Sequence, residues 1–255
     1  MPVLATHSGA IFYAQRGRAG PALICIHGAG GSHSHWGNQL RDLCDIARVY
    51  TLDLPGHGRS SPSTSTEPAS VAGYSNTLLD FMDACGLEQA VLVGHSMGGA
   101  IALWATLDAP ERVLGLGLVG TGARLRVAPA ILDGFDTDLA ATIRLIVDYA
   151  YAPAAPAALL QQAEADYAQA NPATFRSDFS ACDSFDIRTR LAAISCPTAI
   201  ICGSADRMTP PKYSETLRDG IPGATLTLVP NAGHMPMVEQ PDAVSQALRE
   251  LLRSL

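Results

Sequence analysis

The stretch that decides the fold is Gly94-His95-Ser96-Met97-Gly98, which has the pattern G-x-S-x-G. Residues 90–93 before it, Ala-Val-Leu-Val, have the apolar character of a short buried strand, and residues 99–105 after it are typical of a helix. A serine on a sharp turn between a strand and a helix is held in a strained backbone and needs small neighbours on both sides. Its hydroxyl then projects above the sheet, where a base and a substrate can reach it. The same pattern also arises by chance in turns, so its surroundings have to decide.

The composition is that of an ordinary globular protein and argues against several classes. Of the 255 residues 47% are hydrophobic and 16% are charged, which argues against disorder and fits one domain, with or without an insertion. The net charge of −7 does not indicate a basic surface that would bind nucleic acid or an anionic membrane. No apolar stretch of signal-peptide length follows Met1, and no run approaches the roughly 18 apolar residues of a membrane span. The six cysteines lack the short spacings of zinc or disulfide frameworks, so we expect a reducing, cytoplasmic setting.

Apolar runs of strand length alternate with helix-like segments along the chain. The runs that read as strands are residues 11–14, 22–26, 49–52, 90–93, 113–119, 198–202 and 224–229. We expect the first to be antiparallel and the others to be buried, because near-continuous apolar strands are typical of a parallel sheet covered on both faces. Repeated β-α-β units of this kind predict a doubly wound, mostly parallel α/β sheet.

Residues 122–190 do not follow this alternation of strand-like and helix-like segments. They contain no strand-like run, and residues 139–150 and 157–169 are the clearest helices. A segment of this length is too long for one crossover between strands. We therefore predict a helical cap, residues 122–190, inserted into a core formed by residues 1–121 and 191–255. Residues 60–70 are rich in Ser, Thr and Pro and read as a surface loop.

A serine hydroxyl is a poor nucleophile unless a base takes its proton, so Ser96 needs a histidine. In this type of sheet the acid and then the histidine follow the serine, and of the seven histidines only His234 lies after Ser96. His234 comes directly after a predicted strand, at the same edge of the sheet as the serine turn. Asp206 follows the strand at 198–202, whereas residues 120–122 after the preceding strand are Gly-Thr-Gly and offer no carboxylate. The sequence thus predicts the catalytic residues Ser96, Asp206 and His234.

An acyl-transfer site also needs hydrogen-bond donors for the oxyanion of the tetrahedral intermediate. We predict the N–H of Met97, at the start of the helix after Ser96, and the N–H of Ala29, in the loop His-Gly-Ala-Gly-Gly at residues 27–31. The candidate substrate contacts are Gly28, His95, Phe135 and Arg124, the last as a partner for a substrate carboxylate. The apolar residues of the insertion could equally pack it onto the sheet.

Two other interpretations of these loops are weaker. The loop at 27–31 contains G-x-G, but His33 stands where a dinucleotide-binding motif has its third glycine, and no Lys-Ser or Lys-Thr pair follows. His33 and His35 could suggest a metal, but no neighbouring Asp-His completes a ligand set, so we predict no metal. Residues 53–60, Asp-Leu-Pro-Gly-His-Gly-Arg-Ser, fit a tight loop that supports the oxyanion region.

With these motifs in this order, the chain resembles the α/β-hydrolase superfamily over nearly its whole length. The esterases and lactonases of that superfamily that carry a cap are the most similar branch. The resemblance implies an eight-stranded sheet, a helical cap, a serine hydrolase mechanism and no cofactor. Branches that dehalogenate or open epoxides have an aspartate where this chain has Ser96. Hydroxynitrile lyases use a lysine that is missing before His234, and His95 departs from the glycine- and asparagine-rich pattern of carbon–carbon hydrolases.

The functional hypothesis is hydrolysis of a small carboxylic ester or lactone through an acyl-enzyme. A carbon–carbon bond hydrolase, a perhydrolase or a lyase would use the same three residues on another bond and stays open as an alternative. A ligand receptor with this fold and very slow turnover is the alternative from another class. The sequence does not name the substrate or the oligomeric state.

Overall fold

A computed structural model describes residues 3–64 and 69–255. Within them eight strands form one sheet in the order β1-β2-β4-β3-β5-β6-β7-β8. The strands are β1 Val3–Thr6, β2 Gly9–Arg16, β3 Ala22–Ile26, β4 Arg48–Leu52, β5 Ala90–His95, β6 Val113–Val119, β7 Thr198–Gly203 and β8 Thr225–Val229. β2 pairs antiparallel with β1 and β4, and all other neighbours are parallel. The predicted doubly wound, mostly parallel sheet is confirmed.

The central strands are buried on both faces. Every residue of β3, β5 and β7 is buried, which explains why these strands read as continuous apolar runs. Successive side chains of a strand point to opposite faces, so Leu23 and Ile24 of β3 belong to two different hydrophobic cores, one on each side of the sheet. Because β3, β5, β6 and β7 are parallel, the loops that follow them meet at one edge of the sheet.

Helices cover both faces of the sheet. The α-helices of the described residues are α1 Gly37–Asp42, α2 Val71–Ala84, α3 Met97–Asp108, α4 Pro129–Thr137, α5 Leu139–Ala150, α6 Ala157–Ala168, α7 Pro172–Ser184, α8 Pro211–Gly220, α9 Pro236–Glu239 and α10 Pro241–Arg253. Buried side chains of α2 and α3 contribute to one core, and buried side chains of α10 contribute to the other. None of the helices in the described ranges is long and apolar enough to cross a membrane.

The helices α4–α7 all lie between β6 and β7, in the segment of residues 122–190, which we call the helical insertion. Its two ends are joined to each other: the Ile187 N–H donates to the Ala123 carbonyl at 2.8 Å, and Arg124 and Asp186 form an isolated antiparallel bridge. The division of the chain into a core and a cap stays a prediction. Of the surface loop predicted at residues 60–70, residues 65–68 lie outside the described part of the chain.

Two elements at the edges of the sheet differ from the sequence-based expectation. β1 was not identified from the pattern; it has only four residues and pairs with β2 at the end of the sheet. The prediction that residues 224–229 form a buried strand is wrong in its burial, because β8 pairs only with β7 and only Val229 of its residues is buried. An edge strand has no neighbouring strand on one side, so its side chains are covered less completely than those of the central strands.

Candidate active site

Ser96 occupies the turn between β5 and α3 with φ of 52° and ψ of −114°. Among the described residues other than glycine, only Asn231 also has a positive φ. Such a backbone conformation costs on the order of 1–3 kcal/mol and persists only where the surroundings enforce it. Here the Ser96 N–H donates to the Val119 carbonyl at 2.9 Å, and the Thr121 hydroxyl donates to the Ser96 carbonyl at 2.8 Å. The neighbouring strand β6 and the residues after it therefore hold the turn on one side.

Glycines allow the turn to pack tightly on its other sides. A Cβ atom at Gly94 would collide with the Gly98 carbonyl oxygen, and one at Gly98 would collide with the Ile26 carbonyl oxygen. A Cβ at Gly28 would lie 2.7 Å from His95 Nδ1 and 3.2 Å from the Ser96 Cβ. The absence of side chains at these positions lets α3 start against β3, and it lets the glycine-rich loop of residues 27–31 approach Ser96.

Asp206 and His234 are paired at the same edge of the sheet. His234 Nδ1 lies 2.9 Å from Asp206 Oδ2, and both residues are buried. The N–H groups of Met208 and Thr209 donate to Asp206 Oδ1 at 2.9 and 2.8 Å, and the Thr209 hydroxyl donates to Oδ2 at 2.9 Å. Since a carboxylate only accepts, His234 carries its proton on Nδ1 towards Asp206. In the neutral imidazole this arrangement leaves Nε2 with a lone pair that can accept a proton.

Ser96 and His234 line one cavity, of about 60 Å³. Ala29, His95 and Met208 contribute to its wall from the loops at the edge of the sheet. The helical insertion contributes seven lining residues: Leu125, Arg126, Val127, Ile146, Tyr167, Phe179 and Cys182. The cavity is thus mostly apolar and lies between the sheet edge and the insertion, with Ser96 and His234 on the sheet side and the charged Arg126 on the insertion side.

His95 fixes the backbone of His234. Its Nε2 donates to the His234 carbonyl at 2.9 Å, and the two rings lie 4.7 Å apart. His95 Nδ1 is buried and has no hydrogen-bond partner within residues 3–64 and 69–255. Burial, reinforced by the nearby His234, lowers the pKa of His95 well below its usual range. His95 is consequently a neutral, structural neighbour of His234 that also lines the cavity.

Glu239 holds the loop that carries His234 and was not identified from the sequence. Its Oε1 accepts the N–H groups of Gly233 and Met235 at 2.9 and 3.3 Å, on either side of His234, and its Oε2 accepts the Ala152 N–H at 2.9 Å. Burial raises the pKa of Glu239 even though these N–H bonds oppose the shift. One carboxylate therefore ties the His234 loop to the end of α5.

Asp178 is a second acidic residue that sequence reasoning missed. It lies on α7 of the helical insertion, fully buried, and its Oδ2 accepts the Gly30 N–H at 2.8 Å and His57 Nε2 at 2.7 Å. Its Oδ1 accepts the Tyr74 hydroxyl at 2.7 Å. The only local signal is an acid within the apolar stripe of Phe175, Phe179 and Cys182, which has helical spacing. Asp178 connects the insertion to the glycine-rich loop and to the core.

Asp53 gives the loop of residues 53–60 its shape. Its Oδ1 accepts both the N–H and the Nδ1–H of His33, at 2.7 and 2.8 Å, and its Oδ2 accepts the Arg59 N–H at 2.9 Å. His33 is therefore engaged by one buried carboxylate. No group of three or more His, Cys, Asp or Glu side chains in the described ranges is arranged to hold a metal ion. The contacts of Asp53 are those of a supporting loop.

The remaining predicted site residues differ in whether they line the cavity. Ala29 lines it, and Met97 is the first residue of α3, whose N–H has no partner within the helix. Arg124 lies outside the cavity lining, 3.7 Å from Asp186 at the base of the insertion. Phe135 is also absent from the lining and packs edge-on against Phe175, with ring centroids 5.1 Å apart.

A serine in a strained strand-to-helix turn, a histidine–aspartate pair and an apolar cavity at the carboxyl edge of a parallel sheet are together typical of hydrolases. The sequence pattern of the alpha/beta hydrolase family matches residues 23–247. The chain belongs to the alpha/beta hydrolase family, as the resemblance indicated.

Three similar proteins illustrate the range of the family. A protein of Caulobacter sp. (strain K31), provisionally named the carbamate hydrolase RutD, is 33% identical over 90% of each chain. The dihydrolipoyllysine-residue acetyltransferase component of the acetoin cleaving system of Cupriavidus necator is 32% identical over 94% of this chain, which spans 66% of that relative's length. The solved structure of a thermophilic esterase is 32% identical with a TM-score of 0.86, covering 99% of this chain and 97% of its own.

Proposed function

We propose that this protein is a serine hydrolase that cleaves a small carboxylic ester or lactone through an acyl-enzyme. The observation that carries the proposal is that Ser96, in its strained turn, lines the same cavity as His234, which is paired with Asp206 at 2.9 Å. Ser96 is the nucleophile, and His234 Nε2 takes its proton as the hydroxyl attacks the carbonyl carbon. Asp206 keeps His234 in the required tautomer and stabilises the imidazolium.

The backbone N–H groups of Ala29 and Met97 are the proposed donors to the oxyanion of the tetrahedral intermediate. His234 then protonates the leaving alcohol, and water attacks the acyl-enzyme by the same route. With water as the second reactant, the side chains and backbone groups named above supply every step of this proposed reaction. The six cysteines are free, which supports the proposal of a reducing, cytoplasmic setting.

We also propose that the helical insertion, residues 122–190, acts as a cap on a core of residues 1–121 and 191–255. In support, seven cavity-lining residues come from the insertion. The cavity of about 60 Å³ has room for a short acyl group. We therefore expect kcat/KM to fall along a series of p-nitrophenyl esters as the acyl chain grows from acetyl to octanoyl.

The test of the proposal is Ser96→Ala, assayed with p-nitrophenyl acetate. We expect turnover to fall on the order of 10⁴-fold or more, because the nucleophile is lost while the fold is kept. Ser180→Ala, at an exposed position on α7, is the matched control and should retain wild-type turnover. A fluorophosphonate should add one phosphonyl group to the wild-type protein at Ser96, read by peptide mass spectrometry. Near-normal turnover by a folded Ser96→Ala protein would refute the assignment.

The substrate panel should include a lactone and a p-nitrophenyl carbamate beside the esters. The carbamate is included because of the similarity to the RutD protein. A carbamate would be attacked by the same nucleophile at the same kind of carbonyl carbon. A preference for the carbamate over every ester and lactone would keep the mechanism and change the substrate class.

A further inference from the structure

A second cavity, of about 290 Å³, opens beside the catalytic one and is lined mainly by positively charged side chains. Its wall contains Arg124, Arg126 and Arg188 together with Lys212, the one lysine of the sequence. This concentration is notable in a chain whose net charge is −7. We call this site the basic cavity.

The positive charge of the basic cavity is only partly neutralised. Arg188 contacts Asp186 at 2.7 Å and Arg124 lies 3.7 Å from the same residue. The hydrogen bonds from Arg188 lower the pKa of Asp186 to about 2, so this carboxylate is ionised at neutral pH. Arg126 and Lys212 have no carboxylate within 4.0 Å in the part of the chain that the structure describes. Of the four cations of the basic cavity, two share Asp186 and two have no acidic partner.

Lys212 stands at an unfavourable place for a cation. It is the second residue of α8, which has ten residues and no acidic side chain in its first turn. The N-terminus of a helix carries a partial positive charge, so a cation there is repelled and an anion is stabilised. The three arginines and this helix end therefore add to one another, and a bound anion would relieve the repulsion.

The basic cavity is joined to the catalytic one. Arg126 and Tyr213 line both cavities, and Leu125 and Val127, on either side of Arg126, line the catalytic cavity with Ser96. A substrate whose carbonyl lies at Ser96 could therefore extend past Arg126 into the basic cavity.

We propose that the substrate of this enzyme carries an anionic group, a carboxylate or a phosphate, remote from the scissile carbonyl, and that Arg126 and Lys212 bind it. This inference rests on the proposed function and names its substrate class. It moves the expected anion contact from Arg124, which Asp186 already engages, to the two cations without an acidic partner. Binding orients the ester in the cavity; the bond cleavage is still that of Ser96 and His234.

The test compares esters that differ in charge alone. Methyl hydrogen glutarate carries a carboxylate on the acyl side, and the acetate ester of γ-hydroxybutyrate carries one on the alcohol side; the corresponding primary amides are their neutral matches. The acetate ester of ethylene glycol phosphate replaces the carboxylate by phosphate, with the dimethyl ester of its phosphate group as the neutral counterpart. Acid release in a pH-stat gives kcat/KM for each. For at least one pair we expect the charged ester to be preferred about tenfold, the effect of a hydrogen bond to a charged group in a partly exposed site.

Substitutions in the basic cavity test whether this cavity causes the preference for the charged ester. Lys212→Gln and Arg126→Gln should each lower the ratio of charged to neutral kcat/KM about fivefold, and added salt should lower it in the wild-type protein. Arg176→Gln is the matched control, because Arg176 is an exposed arginine of the insertion that pairs with Asp136 at 3.0 Å. It should leave the ratio unchanged.

The outcomes separate the two proposals. If p-nitrophenyl acetate is hydrolysed in a Ser96-dependent way and every charged ester reacts like its neutral match, the anion site is wrong and the proposed function stands. If no ester is hydrolysed, the proposed function fails, and isothermal titration with glutarate and inorganic phosphate tests the cavity directly. Binding that Lys212→Gln weakens supports the anion site; no binding, or binding unaffected by both substitutions, overturns it.

Discussion

Replacing Asp178 by alanine would remove the acceptor of three donors at once, namely the Gly30 N–H, His57 Nε2 and the Tyr74 hydroxyl. The side chains of Asp178 and His57 are 0% and 2% exposed, so the change would leave His57 buried without its carboxylate partner. Removing one partner of a buried charged pair costs about 3–5 kcal/mol. We expect the free energy of unfolding to fall by that amount, a large part of the roughly 5–15 kcal/mol that stabilises a typical domain.

Two milder substitutions separate charge from hydrogen bonding. In Asp178→Asn the amide oxygen can still accept from Gly30 and His57, and the amide N–H₂ can donate to the Tyr74 oxygen, so chiefly the charge is lost. Tyr74→Phe keeps the charge and removes one hydrogen bond to it, at about 1.5–3 kcal/mol. Alanine should therefore be clearly the most destabilising of the three changes.

Urea unfolding followed by circular dichroism measures these differences. Asp133→Ala, an exposed aspartate on α4, is the control and should change the free energy of unfolding by less than about 0.5 kcal/mol. Activity is a second readout: Gly30 follows Ala29, the proposed oxyanion donor, so we expect kcat for p-nitrophenyl acetate to fall about tenfold in Asp178→Ala, less than the 10²–10³ of a lost donor. Asp178→Ala protein within 1 kcal/mol of the wild type would contradict the reasoning.

The pair also makes stability depend on pH. Burial on its own lowers the pKa of His57, but the Asp178 carboxylate at 2.7 Å, together with the Pro55 carbonyl and Asp53, outweighs burial, and the pKa of His57 is raised. A raised folded pKa stabilises the protein fully below the unfolded value of about 6.5, and this contribution is lost as pH rises through the folded pKa. The wild-type protein should therefore lose more stability between about pH 6 and pH 9 than Asp178→Ala, in which the raising partner is gone.

Two further predictions concern the loops around the site. Glu239→Gln places an amide N–H₂ against a backbone N–H whose hydrogen bond the wild-type carboxylate accepts. We expect the free energy of unfolding to fall by about 1–3 kcal/mol and kcat to fall as well, because the His234 loop loses its support. The control Glu215→Gln, at an exposed position, should match the wild type in both measurements. Gly98→Ala puts a Cβ into a backbone carbonyl that cannot move aside, and we expect about 1–3 kcal/mol or more of destabilisation in urea unfolding. Gly37→Ala, in α1 with nothing within 4 Å of the new Cβ, should be neutral or stabilising.

The parts of the fold that the sequence predicts are those with a local signal. The buried central strands are continuous apolar runs, and the turn at Ser96 is defined by a few neighbouring residues. The burial of β8 could not be read in this way, because it depends on the position of the strand in the sheet and not on its own residues. β1 has four residues with polar or small side chains at half its positions, which is too short for a period to be recognised.

The residues of the candidate site also differ in whether the sequence contains a local signal for them. Ser96, Asp206 and His234 each follow a strand, so chain order alone places them at one edge of the sheet. Asp178 was not predicted because its partners lie 104 to 148 residues away in the sequence. Glu239 has partners close in sequence, but an acid in a short helix after a histidine is too common to indicate a role. Pairings over such distances have no period or spacing from which they could be inferred.

The loops at the carboxyl edge of the sheet have no strand ladder to satisfy their backbone N–H groups, and an unpaired buried N–H is costly. In this protein three buried carboxylates and the half-buried Glu239 accept these N–H groups: Asp53, Asp178, Asp206 and Glu239 each accept at least one loop N–H. A carboxylate offers about four acceptor positions and forms charge-assisted bonds, so one side chain can fix a whole turn. Asp206 is the only one of the four that also accepts from His234, and the other three hold the loops around that pair. The geometry proposed for catalysis therefore depends on acids that do not line the cavity, and this is why neutralising Asp178 or Glu239 should lower kcat although both lie outside the proposed triad.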